Sequence, residues 1–110
     1  MEINRFELTG RINYVDIKFY ETTGKAVLRT LMSKKSRKEG EYDTYAITFF
    51  GDTAEKFGET VKKGDTVNIV GRIGVNKYEK DGKTIEKLEL YGNEFALAKY
   101  DEVLRDYVPA

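Results

Sequence analysis

Basic and aromatic side chains cluster at two places in this chain, and together they offer a specific chemistry. Four of the five residues from Lys34 to Lys38 are basic (Lys34, Lys35, Arg37, Lys38), with no acid before Glu39. Further on, Tyr78 stands between Lys77 and Lys80. Cations lining a groove neutralise phosphates and release counterions. Aromatic rings stack on unpaired bases at ~1–3 kcal/mol each without reading their order. The combination fits a single-stranded nucleic acid, which presents a line of phosphates and a set of unstacked bases. Phe50 follows Phe49 in a short alternating segment, so one of the two rings must leave the core. Arg11 and Arg72 each follow a glycine in such a segment. Each feature also has a plainer reading. A charge run is often only solvated, Tyr78 can simply cover a hairpin, and Phe50 can pack a second face. Arg11 and Arg72 can each contact a phosphate or pair with an acid. Phe19 and Tyr20 fit stacking or a subunit contact equally well, whereas Tyr45 shares the face of Ile47 and Phe49 and belongs with the core.

Catalysis finds little support. The chain has no His and no Cys, which removes the commonest general base, the thiol nucleophile, disulfides and zinc fingers. No phosphate-cradling Gly-rich motif and no metal-ligand spacing is present. Asp81-Gly82-Lys83 is turn chemistry rather than a calcium loop, because alternating acidic ligands are missing. No cofactor and no metal are expected. Lys and Arg together number 19, as do Asp and Glu, so the net charge is zero. A strongly basic protein that holds polyanions by bulk charge is thereby excluded, and any electrostatic grip must be local. No apolar run approaches the ~18 residues of a membrane span. Met1–Gly10 lacks the basic-then-apolar pattern of a signal peptide, and a cytoplasmic location is expected.

The elements that must position these residues read as strands. The length fits one domain. Phe6, Leu8, Ile12 and Tyr14 alternate with polar residues, and the phase then flips to Val15, Ile17 and Phe19. A flip near Gly10 predicts a bulge or bend that curls a long strand. Thr22–Lys25 is a turn, Ala26–Met32 a second strand, Ser33–Asp43 a basic loop containing Gly40, and Thr44–Phe50 a third strand. Asp52, with Glu55 three residues on, predicts a capped helix, and Ala54, Phe57 and Val61 place it at about Thr53–Thr60. Val67, Ile69, Ile73 and Val75 form a fourth strand. Asp81-Gly82 is a strong hairpin signal, returning through Ile85, Leu88, Leu90 and Tyr91 to Phe95 and Leu97. Tyr100–Ala110 reads as one or two helical turns. Five strands, a helix between the third and fourth, and a long hairpin between the fourth and fifth are the order of an OB-fold, a five-stranded Greek-key barrel. The expected domain covers residues 1–98, with a tail at 99–110. Apolar residues on both faces of the first and fourth strands exceed what a small barrel can bury, and predict an oligomer.

Three fragments carry a resemblance: Asn4-Arg5-Phe6-Glu7-Leu8-Thr9-Gly10-Arg11-Ile12, then Ile47-Thr48-Phe49-Phe50-Gly51-Asp52-Thr53-Ala54-Glu55, then Val61-Lys62-Lys63-Gly64-Asp65 running on to Val70-Gly71-Arg72-Ile73. In this order and spacing the chain resembles the bacterial-type single-stranded DNA-binding proteins over residues 4–98. The resemblance implies an all-β OB-fold subunit, usually a homotetramer with a dimer as the smaller possibility. It also implies sequence-independent binding of single-stranded DNA in replication, recombination and repair, together with replication or recombination proteins as partners. Phe50 and Tyr78 stand where that family places two stacking aromatics, and Lys34–Lys38 fall in a loop it uses to grip DNA. Thr44 and Arg37 stand where some members carry Trp, a residue this chain lacks altogether. The Asp-Pro-Glu that follows the opening strand in the family is missing. So is the acidic tip ending in Pro-Phe, the chain here closing on Asp106-Tyr107-Val108-Pro109-Ala110. These departures resemble a phage or mobile-element version, or a shortened form of a longer chain, and predict a tail that is structural. The rival readings are an OB-fold primosomal or RNA-binding module, and an oligomeric scaffold that recruits recombination proteins.

Overall fold

The computed structural model describes residues 1–110. Six strands and one helix follow in the order β1 (Phe6–Phe19), β2 (Ala26–Lys35), β3 (Tyr42–Phe50), α1 (Gly51–Thr60), β4 (Thr66–Lys80), β5 (Lys83–Asp101) and β6 (Asp106–Pro109). Five of them close a ring. β1 pairs antiparallel with both β2 and β4, β2 with β3, and β4 with β5. A short parallel pairing of β3 with β5, at Ile47–Leu90 and Thr48–Tyr91, completes the circuit. This is the expected OB-fold barrel.

The phase flip in β1 is a bulge between Ile12 and Tyr14. It lets one strand pair with β4 through its first half and with β2 through its second. Thr30, fully buried, donates its hydroxyl to the Tyr14 carbonyl at 2.7 Å, satisfying an acceptor beside the bulge. A second irregularity between Val70 and Gly71 marks where β4 and β5 leave the barrel as a free arm. A Cβ on Gly71 would lie 1.9 Å from the Tyr91 carbonyl and 2.6 Å from the Phe6 ring, so the two strands can cross there only over a glycine.

The core holds Phe6, Ile12, Leu28, Met32, Ile47, Phe49, Val67 and Ile69 inside the ring, with Ala54, Phe57 and Val61 plugging one end. Phe49 stacks on Phe57 at 4.7 Å, and Phe95 meets Phe57 edge-on at 5.0 Å. Such pairs add ~0.5–1.5 kcal/mol to their burial.

Four sequence expectations change. The helix starts at Gly51, with Phe50 in the cap position and no side-chain cap bond, so the box expected of Asp52 and Glu55 does not form. Gly51 takes φ +63 and turns the chain straight from strand to helix. That leaves Asp52 in the first turn, where its charge still favours the helix dipole. β2 runs on to Lys35 and β3 begins at Tyr42, so Lys34 and Lys35 are strand residues rather than loop residues. Tyr45 is half-buried rather than core.

The fourth change lies in the tail, which is a β-hairpin and not a helix. β5 continues unbroken to Asp101, and β6 pairs back onto it over Ala98–Asp101. Asp101 accepts the amides of Val103 and Leu104 at 2.9 and 3.0 Å, and Tyr100 meets Tyr107 across the strands at 5.4 Å. The side-chain turn and the cross-strand ring pair outweigh the weak helical spacing of Val103, Leu104 and Tyr107.

Candidate nucleic-acid interface

The arm's geometry follows from its turn. Asp81 and Gly82 both have positive φ, +52 and +76, as a two-residue type I′ hairpin requires. Each residue then pairs with the one equally far beyond the turn: Lys80 with Lys83, Tyr78 with Ile85, Asn76 with Lys87, Gly74 with Glu89, Arg72 with Tyr91. Directly paired residues share a face, and successive ones alternate. One face therefore carries Arg72, Asn76, Tyr78, Lys80, Lys83, Ile85, Lys87, Glu89 and Tyr91. The other carries Ile73, Val75, Leu88 and Leu90, with Lys77 bonded to Glu86 at 3.5 Å. Lys77 is thus not brought together with Tyr78, because a one-residue step crosses the sheet.

At the base of the arm the polar face is ordered by contacts around Tyr91. Phe50, 49% exposed, stacks on that ring at 5.8 Å from the β3 side. The Arg72 guanidinium lies over it at 4.5 Å from the β4 side. The Tyr91 hydroxyl donates to Glu89 at 2.8 Å, and that hydrogen bond, with lesser help from desolvation, pushes the phenol's pKa above its usual value. Asn76 donates to the second Glu89 oxygen at 3.4 Å. A Cβ on Gly74 would lie 2.6 Å from the Tyr91 ring, so the glycine makes room for it. Asn4 braces the edge of the arm by a pair of bonds to the Ile73 backbone, donating to its carbonyl at 2.7 Å and accepting its amide at 2.8 Å.

Because β3 and β5 run parallel, the segments that precede them project from the same end of the barrel. Those segments are the loop 36–41 with Arg37 and Lys38, and the arm's turn with Lys80 and Lys83. Between them lies a cleft lined by Arg29, Ala46, Thr48, Lys87 and Glu89. Tyr78 stands six residues up the arm from Arg72, ~20 Å at ~3.3 Å per residue. Lys35 points outward at the end of β2, opposite Tyr42. Lys38 is held loosely by Glu41 at 3.9 Å, an exposed pair of little energetic weight.

Not every expected residue joins this face. Lys34 falls on the inward phase of β2, and its ammonium donates to the Thr9 carbonyl at the barrel rim. Arg11 sits opposite Thr66 and Ser33. Ser33 is six residues along β2 from Val27, which faces Phe50, so Arg11 is ~20 Å from the ring cluster. Arg72 makes no ion pair and rests its guanidinium on Tyr91. The same face also holds Tyr91, Arg29, Lys83 and Lys87, which the sequence reading does not single out. The signal for three of them was present: a two-residue Asp-Gly turn sets the register, and counting outward from it places Tyr91 beside Arg72.

A barrel of this topology with an exposed ring stack and cations on its β2–β3 face and its β4–β5 arm defines an oligonucleotide-binding OB-fold protein. Residues 3–98 match the single-strand binding protein family, and the chain belongs to it. Its relatives include single-stranded DNA-binding protein 1 of Clostridium acetobutylicum, 34% identical over 101 residues, covering 84% of this chain and 90% of that one. Single-stranded DNA-binding protein 2 of Streptococcus agalactiae is 29% identical over 99 residues, covering 86% and 76%. Among solved structures, a mitochondrial single-stranded DNA binding protein of S. cerevisiae superposes with a TM-score of 0.70 at 23% identity, covering 88% of this chain and 96% of that one. The SSB domain of a Synechococcus sp. protein gives 0.66 at 14% identity, covering 86% and 96%. Members of this family are non-enzymatic and generally oligomerise.

Proposed function

We propose that this chain binds single-stranded DNA without reading its sequence, and coats it during replication, recombination and repair. The observation that carries this reading is the ring stack of Phe50 on Tyr91, capped by Arg72 and open to solvent on the outer face of the barrel. Bases stack on Phe50 and on Tyr78. Phosphates run past Arg29, Lys35, Arg37, Lys38, Arg72, Lys80, Lys83 and Lys87. Neither Lys34, turned to the Thr9 carbonyl, nor Lys77, on the opposite face of the arm from Tyr78, contributes directly. Arg11 touches only a strand that wraps further round the barrel. The working unit is a homotetramer, and the absence of Trp supports a phage or mobile-element source.

The test is a tyrosine-fluorescence titration with poly(dT), poly(rU) and duplex DNA at two salt concentrations, the chain having no Trp to mask the signal. Quenching by poly(dT) that weakens with salt, with little response to duplex, is the expected result. Equal affinity for duplex would overturn the reading, and preference for poly(rU) would favour an RNA-binding module.

A further inference from the structure

Little joins the arm to the barrel. Beyond Gly71, β4 pairs with β5 alone, and before Leu90, β5 pairs with β4 alone. A two-stranded ribbon is marginal by itself, so its direction depends on what grips its base. At the bulge Gly71 faces Gly92, and no cross-strand side-chain pair stiffens that point.

Asn4 supplies a grip from outside the sheet. The β1–β4 register ends at Phe6 and Gly71. Carried two residues further, it sets Asn4 opposite Ile73. There a side chain completes the ladder in place of a backbone. The Asn4 carboxamide donates to the Ile73 carbonyl at 2.7 Å and accepts the Ile73 amide at 2.8 Å. A carboxamide offers the donor and acceptor of a peptide group. Asn4 therefore adds one rung along the edge of β4 that β1 has left, joining positions 69 residues apart.

The place of this rung gives it leverage. Ile73 follows Arg72, whose guanidinium lies on the ring stack, and stands five residues before Tyr78. A tilt at Ile73 is carried along ~17 Å of strand to Tyr78. Phe50 stays behind with β3 in the barrel. The rung thus sets the span between the two rings open to bases. Successive bases hang on a backbone of limited reach, so that span decides whether one strand can use both rings. Two net hydrogen bonds weight the gripped arm over a tilted one by roughly 5- to 150-fold.

We propose, resting on the function above, that Asn4 is a positioning residue: its carboxamide holds the arm at the angle that lets one single strand stack on Phe50 and Tyr78 together.

The angle is measured first, without DNA. The chain has no Cys, so Lys56→Cys on α1 and Glu79→Cys near the arm's turn take spin labels at those two sites only. Electron–electron double resonance on labelled chains diluted into unlabelled protein should give one narrow distance. Asn4→Ala should broaden it. So should Asn4→Asp, of equal size, which lacks the N–H and sets its charge against the Ile73 carbonyl. An unchanged distribution in both variants would overturn the proposal. Affinity follows, from the anisotropy of labelled oligo(dT) of about 16 nucleotides, the span of one OB-fold site. Asn4→Ala should lose about 5-fold or more, as the fraction of competent arms falls. Combined with Tyr78→Ala, its loss should be smaller than the product of the single losses, because a ring already absent cannot be misplaced. Combined with Arg37→Ala, on the loop 36–41, the losses should multiply. Losses that also multiply with Tyr78→Ala would overturn the proposal and leave Asn4 a support of the fold. A wild-type protein that leaves oligo(dT) unbound would overturn the parent reading and with it the stacking role, while the distance distribution still reads the grip.

Discussion

Tyr91 is engaged by Phe50 from β3 and by Arg72 from β4, so its ring is already occupied by protein contacts. Its part is to back Phe50, whose outer surface remains open, and to hold Arg72 at the edge of the stack. Phe50→Ala should weaken poly(dT) binding by about 1–3 kcal/mol. Tyr91→Leu should weaken it as well, by releasing both neighbours, while Tyr91→Phe keeps the stack and should bind almost normally. Fluorescence titration of the three variants separates a backing ring from a stacking platform, and a Tyr91→Leu protein of wild-type affinity would refute the assignment. The lysines of the arm give a second residue-scale prediction. Lys87 lies on the face of Tyr91 and Lys77 on the other, bonded to Glu86. Lys87→Gln should reduce the salt slope by about 0.7, while Lys77→Gln leaves it unchanged. The reverse result would mean that DNA lies on the apolar side of the arm. Lys77 and Tyr78 look like neighbours in the sequence, yet a strand sends them to opposite faces. Tyr91 looks like one more apolar residue of a return strand until the register is counted out from Asp81-Gly82.

At the scale of elements, the basic loop is shorter than its sequence indicates. Tyr42 and Asp43 pair with Lys35 and Lys34, which leaves only residues 36–41 outside the sheet. Polar residues in a strand end obscure its boundary, because pairing depends on the partner strand and not on the apolar pattern. Lys35→Ala, Arg37→Ala and Lys38→Ala together should therefore flatten the salt dependence almost as far as neutralising all four basic residues. Adding Lys34→Ala should change stability more than slope, since Lys34 bonds to the Thr9 carbonyl. The C-terminal hairpin makes a separate prediction. β6 pairs with β5 through Ala98–Asp101, and Ala110 donates to the Leu97 carbonyl at 3.0 Å. Deleting Asp101–Ala110 removes that strand and the Tyr100–Tyr107 pair. It should lower Tm by about 4–8 °C for each kcal/mol lost while poly(dT) affinity stays near wild type. An unchanged Tm in differential scanning calorimetry would show that the hairpin carries no structural load.

For the whole molecule, shape and surface point to assembly. The chain measures 52 × 34 × 34 Å, with the arm projecting from the barrel. A two-stranded arm is only marginally stable alone in water, and its second face exposes Ile73, Val75 and Leu88 at 39%, 54% and 71%. A self-complementary contact that covers this apolar strip follows naturally under closed symmetry. Light scattering at micromolar concentration should give about four times the 12.7 kDa chain mass. A Val75→Lys, Leu88→Lys variant should drop to a smaller species, and a wild-type monomer would contradict the assembly. The sequence by itself determined what is local. Period-two alternation marked the strands, Thr22–Lys25 and Asp81-Gly82 marked turns, and the three matched fragments ordered these pieces into an OB-fold with its stock of rings and cations. The tertiary structure alone decided which of these residues meet. The parallel closure of β3 onto β5 brings Phe50 to Tyr91 across 41 residues of chain and points the loop and the arm the same way. The bulges at Ile12 and Val70 choose the face each later side chain takes. Pairing between strands distant in sequence is a property of the closed barrel, and no local pattern encodes it.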